Sequence, residues 1–142
     1  MRPKVEVWDH GVRTLSKISK RYPQLAYSGL GMSVQIEWQY LQRTVPGVGT
    51  LMGPIEDALI EAILPALFGG EEVRAYLREI LGHIVKRGGL GIPEPRLSSE
   101  RAYNTPKAAN EVLVGSLIVG TDLNYIARKG CVRRAIKYGR KQ

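Results

Sequence analysis

Apolar residues recur every three or four positions along most of the chain, which is the spacing of one face of an α-helix. No run of alternating β-branched residues of the kind that forms strands appears. Pro23 suits the first turn of a second helix that ends near Thr44, because backbone amides in the first turn make no helical hydrogen bond and proline has no amide hydrogen. A first helix is predicted over residues 4–20, and its apolar stripe consists of Val5, Trp8, Val12, Leu15, Ile18 and Tyr22.

The second helix carries two apolar stripes, so we expect it to pack on two sides at the centre of the domain. One stripe is Leu25, Met32, Ile36 and Tyr40, and the other is Val34, Trp38, Leu41 and Val45. On this ground Trp8, Trp38 and Tyr40 are assigned to the core rather than to base stacking. Gly29 and Gly31 each cost a helix about 1 kcal/mol relative to alanine, which indicates a close helix contact at these positions.

The third and fourth helices are predicted from the same spacing. The third covers about residues 50–68, and Pro65 is expected to kink its last turn before two glycines end it. The fourth covers residues 71–84 and begins with two acidic residues that suit the positive end of the helix dipole. Its inward face is predicted to contain Val73, Tyr76, Leu77, Ile80 and Ile84.

The end of the chain predicts a fifth helix and a final basic helix. The segment "SSERAYNTP" is rich in cap and turn residues, so the fifth helix is expected to begin at Pro106. Thr121 or Asp122 is expected to cap the final helix, over about residues 122–140. Short connections between helices indicate an all-α fold, an antiparallel bundle of five to six helices in one domain over residues 1–142.

The composition is that of a soluble globular protein, with 44% apolar and 24% charged residues. A single cysteine excludes an internal disulfide, so we expect an intracellular protein, either nuclear or cytoplasmic. The longest apolar runs are shorter than the roughly 20 residues that cross a bilayer, so no membrane partner is predicted.

The residue pattern offers little support for catalytic or metal chemistry. His10 and His83 lie in helical patterns without a nucleophile motif, and we interpret both as structural or surface residues. Glu56 and Asp57 point about 100° apart on a helix, so a solvated first turn is favoured over metal ligands. Cys131 is either a reactive thiol among cations or a small residue near a core seam, and the second interpretation is favoured. No catalytic residue, metal site or cofactor is therefore predicted.

Positive charge is concentrated at the C-terminal end of a chain whose formal net charge is +8. The last fifteen residues contain no acid and seven cations: Arg128, Lys129, Arg133, Arg134, Lys137, Arg140 and Lys141. A cation that neutralises a phosphate releases condensed counterions, so this helix is expected to bind nucleic-acid backbone, and a merely solubilising tail is the alternative. Further cations assigned to the same surface are Lys17, Lys20, Arg21, Lys86 and Arg87.

The segment "KRGGLGIPEP", residues 86–95, admits two interpretations. Its glycines permit positive φ angles and exposed amides, which together with the two cations would suit a phosphate. In contrast, Leu90 and Ile92 require burial, and Pro93 forces the residue before it into an extended conformation. The physical argument favours a rigid connector.

At this loop the sequence also resembles a known family. "GGLGIP" is similar to a segment that follows the polymerase core in reverse transcriptases of non-LTR retrotransposons. The same order is kept by "VEVWDHGVRTLSKI", "RYPQLAYSGL", "IEWQYLQRTVPGVGTLMGPIEDAL", "ILPALFG", "PKAANEVLVGSL" and "ARKGCVRRA", over about residues 5–135. The resemblance implies a thumb and post-thumb region that packs against a palm domain and grips a template–primer duplex.

The resemblance has one departure, because the palm's paired-aspartate metal motif is absent from the sequence. It therefore implies a non-catalytic, thumb-like module that binds RNA or DNA, with a palm domain or a second copy of the chain as protein partner. A thumb without its palm exposes an apolar face, so an interaction or assembly module that binds no nucleic acid is the alternative. A relic without a present role is a third hypothesis.

Overall fold

The computed structural model describes residues 2–139, which form an all-α bundle without a β-strand. The all-α prediction is therefore confirmed. Two π-helical turns, Leu30–Val34 and Leu59–Ile63, join α-helical segments into longer helices, so that eight segments make six continuous helices. The segments are α1 (Arg2–Ser19), α2 (Pro23–Gly29), α3 (Gln35–Thr44), α4 (Gly53–Ala58), α5 (Leu64–Leu67), α6 (Ala75–Gly82), α7 (Pro95–Val119) and α8 (Tyr125–Gly139).

The core lies where α1 packs against the α2–α3 helix and the α4–α5 helix. Trp8 and Trp38 are buried, as predicted, and the Trp8 indole Nε1–H donates a hydrogen bond of 2.9 Å to Glu37. Each large apolar side chain that leaves water stabilises the fold by roughly 1.5–3 kcal/mol. The largest fully buried apolar side chains include those of Val12, Leu30, Trp38, Met52, Ile55, Leu59, Ile63, Leu64 and Ile92.

Both π-helical turns accommodate one extra residue within an otherwise regular helix. The Gln35 amide bonds to the Leu30 carbonyl, and the Leu64 amide bonds to the Leu59 carbonyl, which is the i to i+5 pattern. The second turn ends two residues before Pro65, whose ring removes a helical hydrogen-bond donor. The helix is therefore irregular before this proline, and the kink of its last turn stays a prediction.

The prediction that the second helix packs on two sides is wrong. Its stripe of Leu25, Met32, Ile36 and Tyr40 is solvent-exposed, with fractions between 55% and 79%, so Tyr40 does not belong to the core. The reason is that α1 and α7 both pack on the opposite side of this helix. The packing role of Gly29 is confirmed, since a Cβ there would lie 3.1 Å from Leu15. The prediction is wrong for Gly31, where a Cβ would meet nothing within 4 Å.

The predicted start of the fifth helix is also wrong, because α7 begins at Pro95 and continues through Pro106. "SSERAYNTP" is helical because its N-terminal part packs on α3. There the Gln42 side-chain amide donates to the Pro95 carbonyl at 2.7 Å and to the hydroxyl of buried Ser99 at 2.9 Å. These tertiary contacts outweigh the weak helix propensity of the segment.

The fourth helix is shorter than predicted, since residues 71–74 are not helical and α6 covers Ala75–Gly82. Its inward face contains Leu77, Arg78 and Leu81 rather than the predicted Tyr76, Ile80 and Ile84, which are exposed. The apolar spacing is ambiguous here because a short helix surrounded by apolar residues offers more than one stripe.

Candidate nucleic-acid interface

The basic helix α8 is held as the second arm of a helical hairpin with α7. Gly120 ends α7 with a left-handed φ of 70°, and the Thr121 amide bonds back to the Ser116 carbonyl at 3.0 Å. The cap of α8 is Asn124 rather than the predicted Thr121 or Asp122, because its side-chain oxygen accepts the Ala127 amide at 2.9 Å.

One face of α8 is fixed against α7. Cys131 and Ala135 are buried, and the Cys131 thiol donates to the Ala108 carbonyl at 2.9 Å, so the interpretation of Cys131 as a small residue at a packing seam is confirmed. Gly139 approaches α7 closely, since a Cβ there would lie 2.8 Å from the Thr105 hydroxyl. The packed face therefore leaves the opposite side of α8 to solvent.

The cations of α8 lie on that solvent side. Lys129, Arg133 and Lys137 are exposed and follow one another at four-residue intervals, so they form a single row with a spacing of about 6 Å. Arg134 is exposed beside this row, while Arg128 is half-buried. The remaining two predicted cations, Arg140 and Lys141, lie outside the described residues.

Ion pairs do not neutralise this row within the described part of the chain. The pairs closer than 4.0 Å join Arg13 to Asp9 and Glu61, at 3.0 and 3.7 Å, and Arg78 to Glu56, at 2.7 Å. All three lie on other elements. The exposed α8 cations are thus available to an external anion.

The structure divides the other predicted cations between two places. Lys17 lies in the last turn of α1 and Lys20 and Arg21 in the turn that follows, all exposed. The principal packing partners of α1 are α2, α4 and α5, whereas that of α8 is α7, so these three cations do not join the α8 row.

Lys86 and Arg87 lie in a short 3-10 turn, Val85–Arg87, and both are exposed. Arg87 lines a surface groove together with Ile136 and Gly139 of α8. Arg87, unlike Lys86, therefore shares a groove with the basic helix.

The glycine loop after this turn is a rigid connector. Its backbone amides, at residues 88–92, all donate to carbonyls of residues 81–85, so they are not free to cradle a phosphate. Its carbonyls accept side-chain hydrogen bonds from Tyr27 at 2.6 Å, from Gln35 at 2.7 Å and from Arg78 at 2.6 Å. Gly89 is required, because a Cβ there would collide with the His83 carbonyl. Only the side chains of the two cations remain available for binding.

The prediction of a solvated first turn is wrong for Glu56, although Asp57 is exposed. Glu56 is buried and receives two hydrogen bonds of 2.7 Å from the equally buried Arg78 guanidinium. The two residues are 22 positions apart on different helices. Helical periodicity therefore contains no signal for their pairing.

Two arginines that the sequence analysis did not assign to a site, Arg43 on α3 and Arg101 on α7, line the same groove as Arg87. They belong to different helices, so only the tertiary fold brings them together. Among residues 2–139, no group of three or more His, Cys, Asp or Glu side chains is placed to hold a metal ion. No described helix is both long and apolar enough to cross a membrane.

Fold and surface together define the class of this protein as a small all-α bundle with a basic helical hairpin. No family model, curated protein or solved structure matches the chain. The resemblance to a reverse transcriptase thumb region therefore stays a prediction.

Proposed function

We propose that this protein is a non-catalytic module that binds nucleic-acid backbone through the solvent face of α8. The observation that carries the proposal is the row of Lys129, Arg133 and Lys137, which is exposed and has no ion pair among the described residues. Contacts of this kind are made to phosphate and sugar, so binding is expected to depend weakly on base sequence. A duplex of the template–primer kind is the ligand that the resemblance suggests.

Binding of a labelled blunt duplex across a salt series tests the proposal. Affinity is expected to fall steeply from about 50 to 200 mM salt, since each phosphate contact contributes about 0.9 to the slope of log K against log salt. A variant with Lys129→Gln, Arg133→Gln and Lys137→Gln should lower that slope by about 2.7. Glutamine preserves helix propensity, so the helix itself is retained.

A control of equal charge separates this effect from a change in net charge. It removes three exposed cations outside the proposed surface, by Lys4→Gln, Arg74→Gln and Lys107→Gln. This control should bind nearly as the unaltered protein does. A flat salt response, or equal losses in both triple variants, would contradict the proposal.

The second candidate is an assembly module, and the exposed apolar stripe of the α2–α3 helix favours it. Four large apolar side chains in one row, Leu25 to Tyr40, form a surface of the kind that associates with a partner. Sedimentation velocity tests this idea: a dimer should form that Met32→Glu disrupts and that Ser33→Glu, exposed beside the stripe, leaves intact. A monomer at all concentrations would exclude self-assembly through this stripe.

A further inference from the structure

A surface groove of about 790 Å³ lies where α3, the Val85–Arg87 turn, α7 and α8 meet. Its charged walls are Arg43, Arg87 and Arg101, one from each of three elements, and all three are exposed. We call it the arginine groove. No local sequence pattern predicts it, because its members are brought together only by the packing of α7 on α3 and α8.

The charge of its lining distinguishes the arginine groove from two other grooves of similar size on the described surface. The groove between α7 and α8 contains Glu100 and Glu111, and the one beside α4 and α6 contains five carboxylates. The described lining of the arginine groove contains none. The charged side chains of its described lining are therefore all cationic, which suits an anion.

The groove also has apolar lining residues, among them Ile84, Pro106 and Ile136, and His83 is part of the same lining. The outer surface of a duplex presents phosphates and sugars, which do not cover apolar side chains. An unpaired strand also presents base faces, which stack on imidazole rings and guanidinium planes, while its phosphates remain available to arginine.

The groove borders the basic helix. Ile136, which lines it, lies three residues after Arg133 and is therefore its neighbour on the surface of α8. A strand that leaves a duplex held on α8 can therefore continue into the groove.

We propose that the arginine groove binds an unpaired nucleotide strand that continues from the duplex on α8. The continuation rests on the proposed function of α8, whereas the groove itself rests on its own arginines. The phosphates pair with Arg43, Arg87 and Arg101, and the bases lie over the apolar lining residues. The preferred ligand is thus a duplex with a single-stranded overhang, rather than a blunt duplex.

The test compares two labelled ligands that have the same number of phosphates, a blunt duplex and a shorter duplex with an overhang of about ten nucleotides. The unaltered protein should bind the overhang ligand about tenfold more tightly, which is the effect of roughly one stacked base. A variant with Arg43→Gln, Arg87→Gln and Arg101→Gln should lose this preference and retain blunt-duplex binding within about twofold. Circular dichroism checks that each variant keeps its helices.

The triple variant of α8 and the charge control make the outcomes distinguishable. The α8 variant should weaken binding of both ligands and keep their ratio, and the charge control should change neither. If the overhang gives no preference, or if the preference survives in the groove variant, the groove proposal is wrong. If the overhang ligand binds and loses binding in the groove variant, while the blunt duplex does not bind at all, the result would support the groove and contradict the α8 function. Absence of binding by every ligand would overturn both.

Discussion

Arg78 shows how one side chain can organise a loop and two helices. Its guanidinium donates two hydrogen bonds of 2.7 Å to Glu56 on α4 and one of 2.6 Å to the Ile92 carbonyl. All the charged atoms involved are buried, so the pair depends on full hydrogen bonding to offset the loss of water. In this way Arg78 on α6 ties α4 to the connector that leads into α7.

Replacing this arginine should be strongly destabilising. Arg78→Met leaves the Glu56 carboxylate buried without a partner, so the free energy of unfolding is expected to fall by about 3–5 kcal/mol. Urea denaturation followed by circular dichroism measures the change.

The double variant Arg78→Met with Glu56→Leu is the matched comparison. It removes both charges together and should therefore be more stable than Arg78→Met alone. If the double variant is less stable than the single one, the ion pair is not the cause of the loss.

At the scale of the helices, apolar spacing predicts that a helix exists better than it predicts where the helix begins and ends. Between Val5 and Thr44 the first two helices lie close to their predicted positions, because long amphipathic segments carry a strong periodic signal. The predicted start of α7 is wrong because Gln42 and Ser99, 57 positions apart, stabilise a segment whose own residues favour a turn. Long-range hydrogen bonds of this kind leave no trace in local propensity.

Pro106 is expected to cost α7 stability, since it lies inside the helix and removes a backbone donor. Pro106→Ala should raise the free energy of unfolding by about 1–3 kcal/mol. Thermal or urea denaturation measures the gain.

Pro95→Ala serves as the control, because Pro95 occupies the first turn of α7, where no helical donor is lost. It should not raise the free energy of unfolding, because no helical donor is gained and the buried Pro95 ring is lost. Equal effects at the two positions would show that the interior proline does not strain the helix.

For the molecule as a whole, one half of the candidate surface was predictable and the other was not. The row of Lys129, Arg133 and Lys137 follows from counting residues along a single helix. The arginine groove depends on Arg43 and Arg101, and their proximity to Arg87 follows only from how the helices pack. The exposed apolar stripe of the α2–α3 helix illustrates the same limit, since periodicity identifies an apolar face but does not predict whether another helix packs on it.

The attachment of α8 mainly to α7 has a consequence for local stability. A helix held chiefly by one neighbour and by few buried side chains can detach without unfolding the core. Backbone amides of α8 should therefore exchange hydrogen for deuterium well before those of α1 and the α2–α3 helix, as mass spectrometry would resolve by segment. Equal protection of α8 and α1 would show that the hairpin opens only with the core.

Because α8 can detach locally, its hydrogen exchange should indicate whether a ligand is bound to the hairpin. A polyanion laid across the α8 cations and the arginine groove would bridge the loosest helix to α3 and slow its opening. The ligand-bound protein would then show slower deuterium exchange in α8 and little change in the core. The helix that opens most often would therefore show the largest change on binding.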